Sequence, residues 1–120
     1  IWFSSTKDPD AIAAPEGVID PDLKVVSFWN GDKPLVAMTY YATHPQSHYG
    51  KGAVSADFVG LARAVLDRAE PGVFHIHFNG AGGNIAAGKY NDGSQRAREE
   101  LTGRLAAGMA SAWTNTRRGR

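Results

Sequence analysis

The sequence predicts a mixed α/β domain with elements in the order β-β-α-β-α: a β-hairpin, a crossover helix, a parallel strand and a closing helix. Three observations carry this. Asn30-Gly31 separates two runs rich in Val, Phe, Trp and Tyr, and two residues tolerant of positive φ between such runs are a strong short-range hairpin signal. Phe58, Leu61, Ala62, Val65 and Leu66 then recur at helical spacing and stop at Glu70-Pro71-Gly72. Finally, Val73 to Asn79 alternates His with Phe and Ile before breaking into Gly80-Ala81-Gly82-Gly83-Asn84.

Residues 1–21 hold prolines, aspartates and small residues without a sustained period, and read as an extended arm. Residues 22–114 form the α/β core. Its first strand runs over 22–29 and its second over 34–43, paired antiparallel. Ser55 is placed to cap the helix that follows, and Asp57 falls in its first turn, where negative charge suits the helix dipole. A strand–helix–strand connection within one sheet makes the third strand parallel to the second. Ser94 is the expected cap of the last helix, whose apolar stripe is Leu101, Leu105, Gly108, Met109 and Ala112. Residues 115–120 read as a basic, fraying tail.

Composition narrows the partners. At 120 residues the chain is one domain at most, and 42% hydrophobic residues are enough for a core. Thirteen basic against twelve acidic side chains leave a net charge of +1, too little field to imply nucleic acid or an anionic membrane. The absence of cysteine removes disulfides, thiolate metal ligands and a Cys nucleophile together. No apolar run reaches the length of a transmembrane segment. The chain begins at Ile1 with no leader pattern, as a piece of a longer protein would.

The candidate chemistry gathers where the strands end. Thr43-His44-Pro45 closes the second strand, and the proline stops the ladder directly after the imidazole. Three readings of His44 stand: a metal ligand, a general base, or a strand-end imidazole bonded to backbone. His48, four residues on, belongs to a loop rather than to a helix shared with His44. His75 and His77 point to one strand face while Phe74, Ile76 and Phe78 point to the other, and a structural or solvent-facing role suits them better than a two-ligand zinc site. The run Gly80-Ala81-Gly82-Gly83 fails the dinucleotide spacing, because Ile85 stands where Gly or Ala is needed. It offers instead either unhindered backbone amides for a substrate oxygen or oxyanion, or a tight turn that needs positive φ. Asp57 is either a helix-start charge or an acceptor standing behind the crevice. Because ligands of parallel sheets bind beyond the carboxyl ends of the strands, His44 and the glycine loop should share one crevice.

Four blocks then add a family likeness: Gly17-Val18-Ile19-Asp20-Pro21-Asp22-Leu23-Lys24, Tyr40-Tyr41-Ala42-Thr43-His44-Pro45, Ser55-Ala56-Asp57-Phe58-Val59-Gly60, and Phe78-Asn79-Gly80-Ala81-Gly82-Gly83-Asn84. In this order, over about residues 17–92, the chain resembles the neutral/alkaline non-lysosomal ceramidase family and its bacterial relatives. The resemblance implies the middle of an α/β hydrolase-like amidase domain holding one zinc, with His44 as a ligand and the remaining ligands outside these residues. It also implies a small-molecule or lipid-like amide substrate and a secreted or periplasmic location; the residues themselves suggest that Gly80, Gly82, Gly83 and Asn84 contact that substrate, with Asp57 behind them. The partner it implies is the rest of the catalytic domain. One position departs: the family's catalytic serine falls on Ala86, in Gly83-Asn84-Ile85-Ala86-Ala87, and a methyl group neither attacks nor donates. Two function classes follow, a zinc-dependent hydrolase of an amide or other acyl bond, and a non-catalytic ligand-binding domain derived from that fold.

Overall fold

The computed structural model describes residues 4–48, 50 and 54–118, together with the backbone alone at 117 and 118. Strands β1 (Lys24–Asn30), β2 (Lys33–Tyr41) and β3 (Phe74–Asn79) form one mixed sheet in the order β1-β2-β3. β1 pairs antiparallel with β2, and β3 lies parallel to β2 with Tyr41 opposite Asn79. The predicted architecture is thus present, with small shifts at the edges. The hairpin loop is Gly31-Asp32 rather than Asn30-Gly31, because Asn30 still pairs with Lys33. Only Gly31 takes positive φ there (56°), the pattern of a type II′ turn, and a bulge at Phe28/Trp29 absorbs the register change.

Two helices cover one face of this sheet. α2 (Asp57–Ala69) lies against β3, and α3 (Gln95–Arg118) lies against β1 and beside α2. Phe58, Ala62 and Leu66 of α2 meet Leu105, Ala106 and Met109 of α3 in the main core, with Leu23 and Tyr41 at its margin. Each such large apolar side chain contributes about 1.5–3 kcal/mol on burial. A second cluster joins Ala37, Val73 and Trp113, and Trp113 stacks on Trp29 with ring centroids 5.5 Å apart.

Two expectations for the ends need correction. The arm is not wholly extended, since Asp8 caps a five-residue helix, α1 (Pro9–Ala13), by accepting from the Asp10 amide at 2.9 Å. The helix α3 continues through Arg118, so no separate tail begins at 115; its own i,i+4 ladder outruns the expected fraying. Ser94 does cap it, accepting from the Ala97 amide at 3.1 Å.

Among the described residues, nothing covers the opposite face of the sheet. Its rows run Phe28–Val36–Phe74, Val26–Met38–Ile76 and Lys24–Tyr40–Phe78, with Lys24 the lone charge. Val26, Phe28, Phe74 and Phe78 are exposed, and Tyr40 stacks on Phe78 at 5.3 Å. Sheets with parallel pairs ordinarily bury both faces.

Candidate functional site

β2 and β3 end side by side, and the chain leaving each end is held against the other. Gly80 N–H donates to the Tyr41 carbonyl at 2.8 Å. A Cβ on Gly80 would stand 3.1 Å from the Ala42 nitrogen, and one on Gly82 would stand 2.9 Å from the Thr43 nitrogen. These glycines are therefore demanded by close backbone approach. The alternative of a turn needing positive φ does not hold for them: Gly31, Gly50, Gly88 and Gly93 have positive φ, and Gly80, Gly82 and Gly83 do not. Gly83 has nothing within 4 Å of its would-be Cβ.

The approach delivers one carbonyl. Ile85 N–H bonds back to Gly82 O at 3.0 Å, closing a turn that turns the Ile85 carbonyl onto His44. That oxygen accepts twice, from the His44 backbone N–H at 2.9 Å and from Nδ1 at 2.7 Å. A carbonyl only accepts, so Nδ1 carries a proton, and in the neutral ring Nε2 is then the nitrogen with the lone pair. This is the arrangement in which metal-binding histidines are ordinarily held, the ring nitrogen away from the metal donating to a carbonyl or carboxylate. His44 and the glycine loop lie against each other, joined through Ile85, whose part leaves no mark on residue type because it acts through its backbone carbonyl.

Asp57, at the start of α2, holds the loop that follows His44. Its Oδ2 accepts from the amides of Ser47 (2.8 Å) and His48 (3.2 Å), and its Oδ1 from Ser47 Oγ (2.5 Å) and the Phe58 amide (2.6 Å). Burial pushes the carboxyl pKa up, but these bonds from Ser47, His48 and Phe58 outweigh it and hold the group below its ordinary value. Arg98 Nε of α3 lies 3.5 Å from Oδ1, an ion-pair contact too long for a hydrogen bond, while Arg98 Nη2 donates to Ser55 Oγ at 2.8 Å. Ser55 is not itself the cap residue. Ala56 occupies that position, and Ser55 Oγ accepts from the Asp57 amide at 3.0 Å. Asp57 also takes a left-handed backbone conformation, φ 49°, which a non-glycine residue holds only when its surroundings fix it.

Ser47 and Asn91, each 1% exposed, complete the network, and neither stood out in the sequence. The Asn91 side-chain amide donates to the carbonyls of Ser47 (2.9 Å) and Ser4 (3.2 Å), and its Oδ1 accepts from the Gly93 amide at 3.0 Å. The Asn-Asp-Gly context suggests a turn, but nothing in it announces that the asparagine is buried.

His48 lies in the loop, as expected, with its backbone amide on Asp57. His75 and His77 share the helix-covered face, so they are packed rather than solvent-facing. His75 meets the edge of Trp113 at 6.0 Å, and His77 Nδ1 is 2.9 Å from Thr39 Oγ1. Among the described residues, no three His, Asp or Glu side chains converge as a metal site would require.

Beside His44 and the glycine loop opens a cleft of about 1200 Å³, between the arm, the Gly88–Tyr90 turn and α3. Leu23, Tyr41, Phe58, Leu101 and Leu105 give it apolar walls, and Thr43, Ile85 and Ala86 bring the neighbours of His44 to its edge. Gly80 lines a separate groove of about 310 Å³, and Gly82, Gly83 and Asn84 line neither. No family model, curated protein or solved structure matches the chain. No helix among the described residues is long and apolar enough to cross a membrane.

Proposed function

We propose that this chain is the middle portion of a zinc-dependent, ceramidase-like hydrolase that cleaves an amide or other acyl bond. The observation that carries the reading is the bond from His44 Nδ1–H to the Ile85 carbonyl, which leaves Nε2 of the neutral ring to offer its lone pair to a metal at the carboxyl end of a parallel strand pair. The ordered sequence blocks supply the family, and the geometry of His44 suits the role they imply. His44 Nε2 is one ligand, and the resemblance puts the remaining ligands outside this chain; a catalytic zinc takes three protein ligands and an open position. When bound, zinc polarises an acyl carbonyl and lowers the pKa of its water to about 7.

This chain's own residues do the rest. The apolar cleft accommodates the hydrocarbon part of a lipid-like amide. The amides of Gly82, Gly83 and Asn84 have no partner among the described residues and line neither the cleft nor the groove, so they are open to substrate oxygens only from outside the cleft, whereas the Gly80 amide is spent on Tyr41. The Asp57 carboxylate, with both oxygens engaged, supports the loop from behind. Ala86 provides no nucleophile, so attack by water replaces an acyl-serine step at that position. The bare apolar face of the sheet fits burial against the rest of a catalytic domain.

The same Ala86 favours a second reading, a binding domain of this fold that has lost its chemistry. Assay of the protein from its full open reading frame on a long-chain N-acyl amide separates them. The hydrolase reading predicts turnover that is lost on chelation and restored by zinc, with no turnover by the 120-residue chain alone. Turnover indifferent to chelation rejects the zinc role, and binding without turnover selects the second reading.

A further inference from the structure

The β3-to-α3 connection touches the His44 loop at two points. At one end Ile85 O accepts from the amide and Nδ1 of His44. At the other, Asn91 Nδ2 donates to Ser47 O, and Ser47 is in turn bound through N–H and Oγ–H to Asp57. Pro45, with its fixed φ, stands between the two grips. Asn91 is itself immobilised: its N–H bonds to Gly88 O at 3.1 Å, its carbonyl accepts from Thr6 N–H at 2.8 Å, and its side chain makes three further bonds. Ser47 and Asn91 are almost wholly buried, and a buried polar pair of this kind is tolerated only when its bonds are satisfied. Asp57, of a residue type that tolerates left-handed φ, takes φ 49° within this network.

We infer that Ser47 and Asn91 are positioning residues for His44, holding the His-Pro loop so that Nε2 is presented in one place. The inference rests on the metal-ligand reading of His44. With Asn91 shortened, Ser47 O loses its donor, and the downstream grip is left to the bonds of Ser47 and His48 to Asp57.

The test measures zinc affinity by chelator competition on the protein from its full open reading frame, with melting temperatures taken in parallel. Asn91→Ala and Ser47→Ala should weaken zinc binding about 10- to 100-fold, the usual cost of losing a residue that orients a ligand. Val73→Ala, in the core at the far end of β3, should lower the melting temperature and leave zinc affinity unchanged. Ser47→Ala removes one hydroxyl and keeps both backbone bonds, so it decides the matter if Asn91→Ala does not fold. Zinc retained at full affinity in His44→Ala overturns the ligand reading itself. Loss of zinc in His44→Ala with wild-type affinity in Ser47→Ala and Asn91→Ala overturns this inference alone, as does an equal loss of affinity in Val73→Ala.

Discussion

The carbonyl of Ile85 accepts from both the backbone amide and Nδ1 of His44, at 2.9 and 2.7 Å, so one oxygen fixes the position and the tautomer of the imidazole together. The consequence is directly observable. In ¹⁵N-labelled chain at pH 8, the His44 ring should show the Nδ1–H tautomer with an unprotonated Nε2. A dominant Nε2–H form would mean that the 2.7 Å contact does not hold in solution.

The glycines that permit this contact are not equivalent. Gly82→Ala would place its Cβ 2.9 Å from the Thr43 nitrogen and should cost about 1–3 kcal/mol through forced backbone shifts. Gly83→Ala meets no atom within 4 Å and should stay within about 0.5 kcal/mol of wild type. Urea unfolding of the two variants makes the comparison, and equal losses would contradict the close-approach account.

Much of this was legible in residue type. The hairpin, the crossover helix and the parallel strand follow from Asn30-Gly31, the Phe58 to Leu66 period and the short run after Gly72, because each is a local signal. The joining of His44 to the glycine loop was legible too, through the rule that parallel strand ends share a crevice. The clamps were not. Ile85 acts through its carbonyl, and Ser47 and Asn91 act through burial that arises only when four separate segments meet. The glycines are visible, but the two reasons that the sequence offers for them, open amides or a positive-φ turn, do not include close approach, since a demand for positive φ and a demand for close approach look identical in sequence.

Asp57 should make the fold sensitive to acid. Its carboxyl pKa is held below the ordinary value, so it contributes stability that is present above the unfolded value of about 3.9 and lost as pH falls through the folded one. Asp57→Asn keeps a residue tolerant of left-handed φ while removing the charge. It should cost about 1.5–3 kcal/mol at pH 7, as charged hydrogen bonds do, and flatten the loss as pH falls below about 4. Urea midpoints across that fall measure it; an unchanged acid slope in the variant would assign the effect elsewhere.

A separate pH response comes from strand β3. Burial lowers the pKa of His75, against a smaller upward pull from Asp67 and Glu70, and burial alone lowers that of His77. Both are neutral in the native state and take up protons more readily when unfolded. Stability is therefore full above about pH 6.5 and declines as pH falls below it. The melting temperature should drop between pH 7.5 and 5.5, and His75→Gln with His77→Gln should shrink that drop. An undiminished drop would show that these histidines are not its source.

The bare sheet face predicts the behaviour of the isolated chain. Rows containing Phe28, Phe74, Val26 and Phe78 form a patch of the kind that drives association. Phe28→Thr with Phe74→Thr should reduce self-association in sedimentation while changing the melting temperature little, because both side chains are exposed. A large fall in melting temperature would show that the face is already packed.

The account stands on His44 as a zinc ligand, and metal analysis of the protein from its full open reading frame tests that most directly. Wild type should hold about one zinc per chain, His44→Ala should lose it, and His48→Ala should keep it, since removing one of three protein ligands leaves the site underfilled. Undiminished zinc in His44→Ala would contradict the central claim.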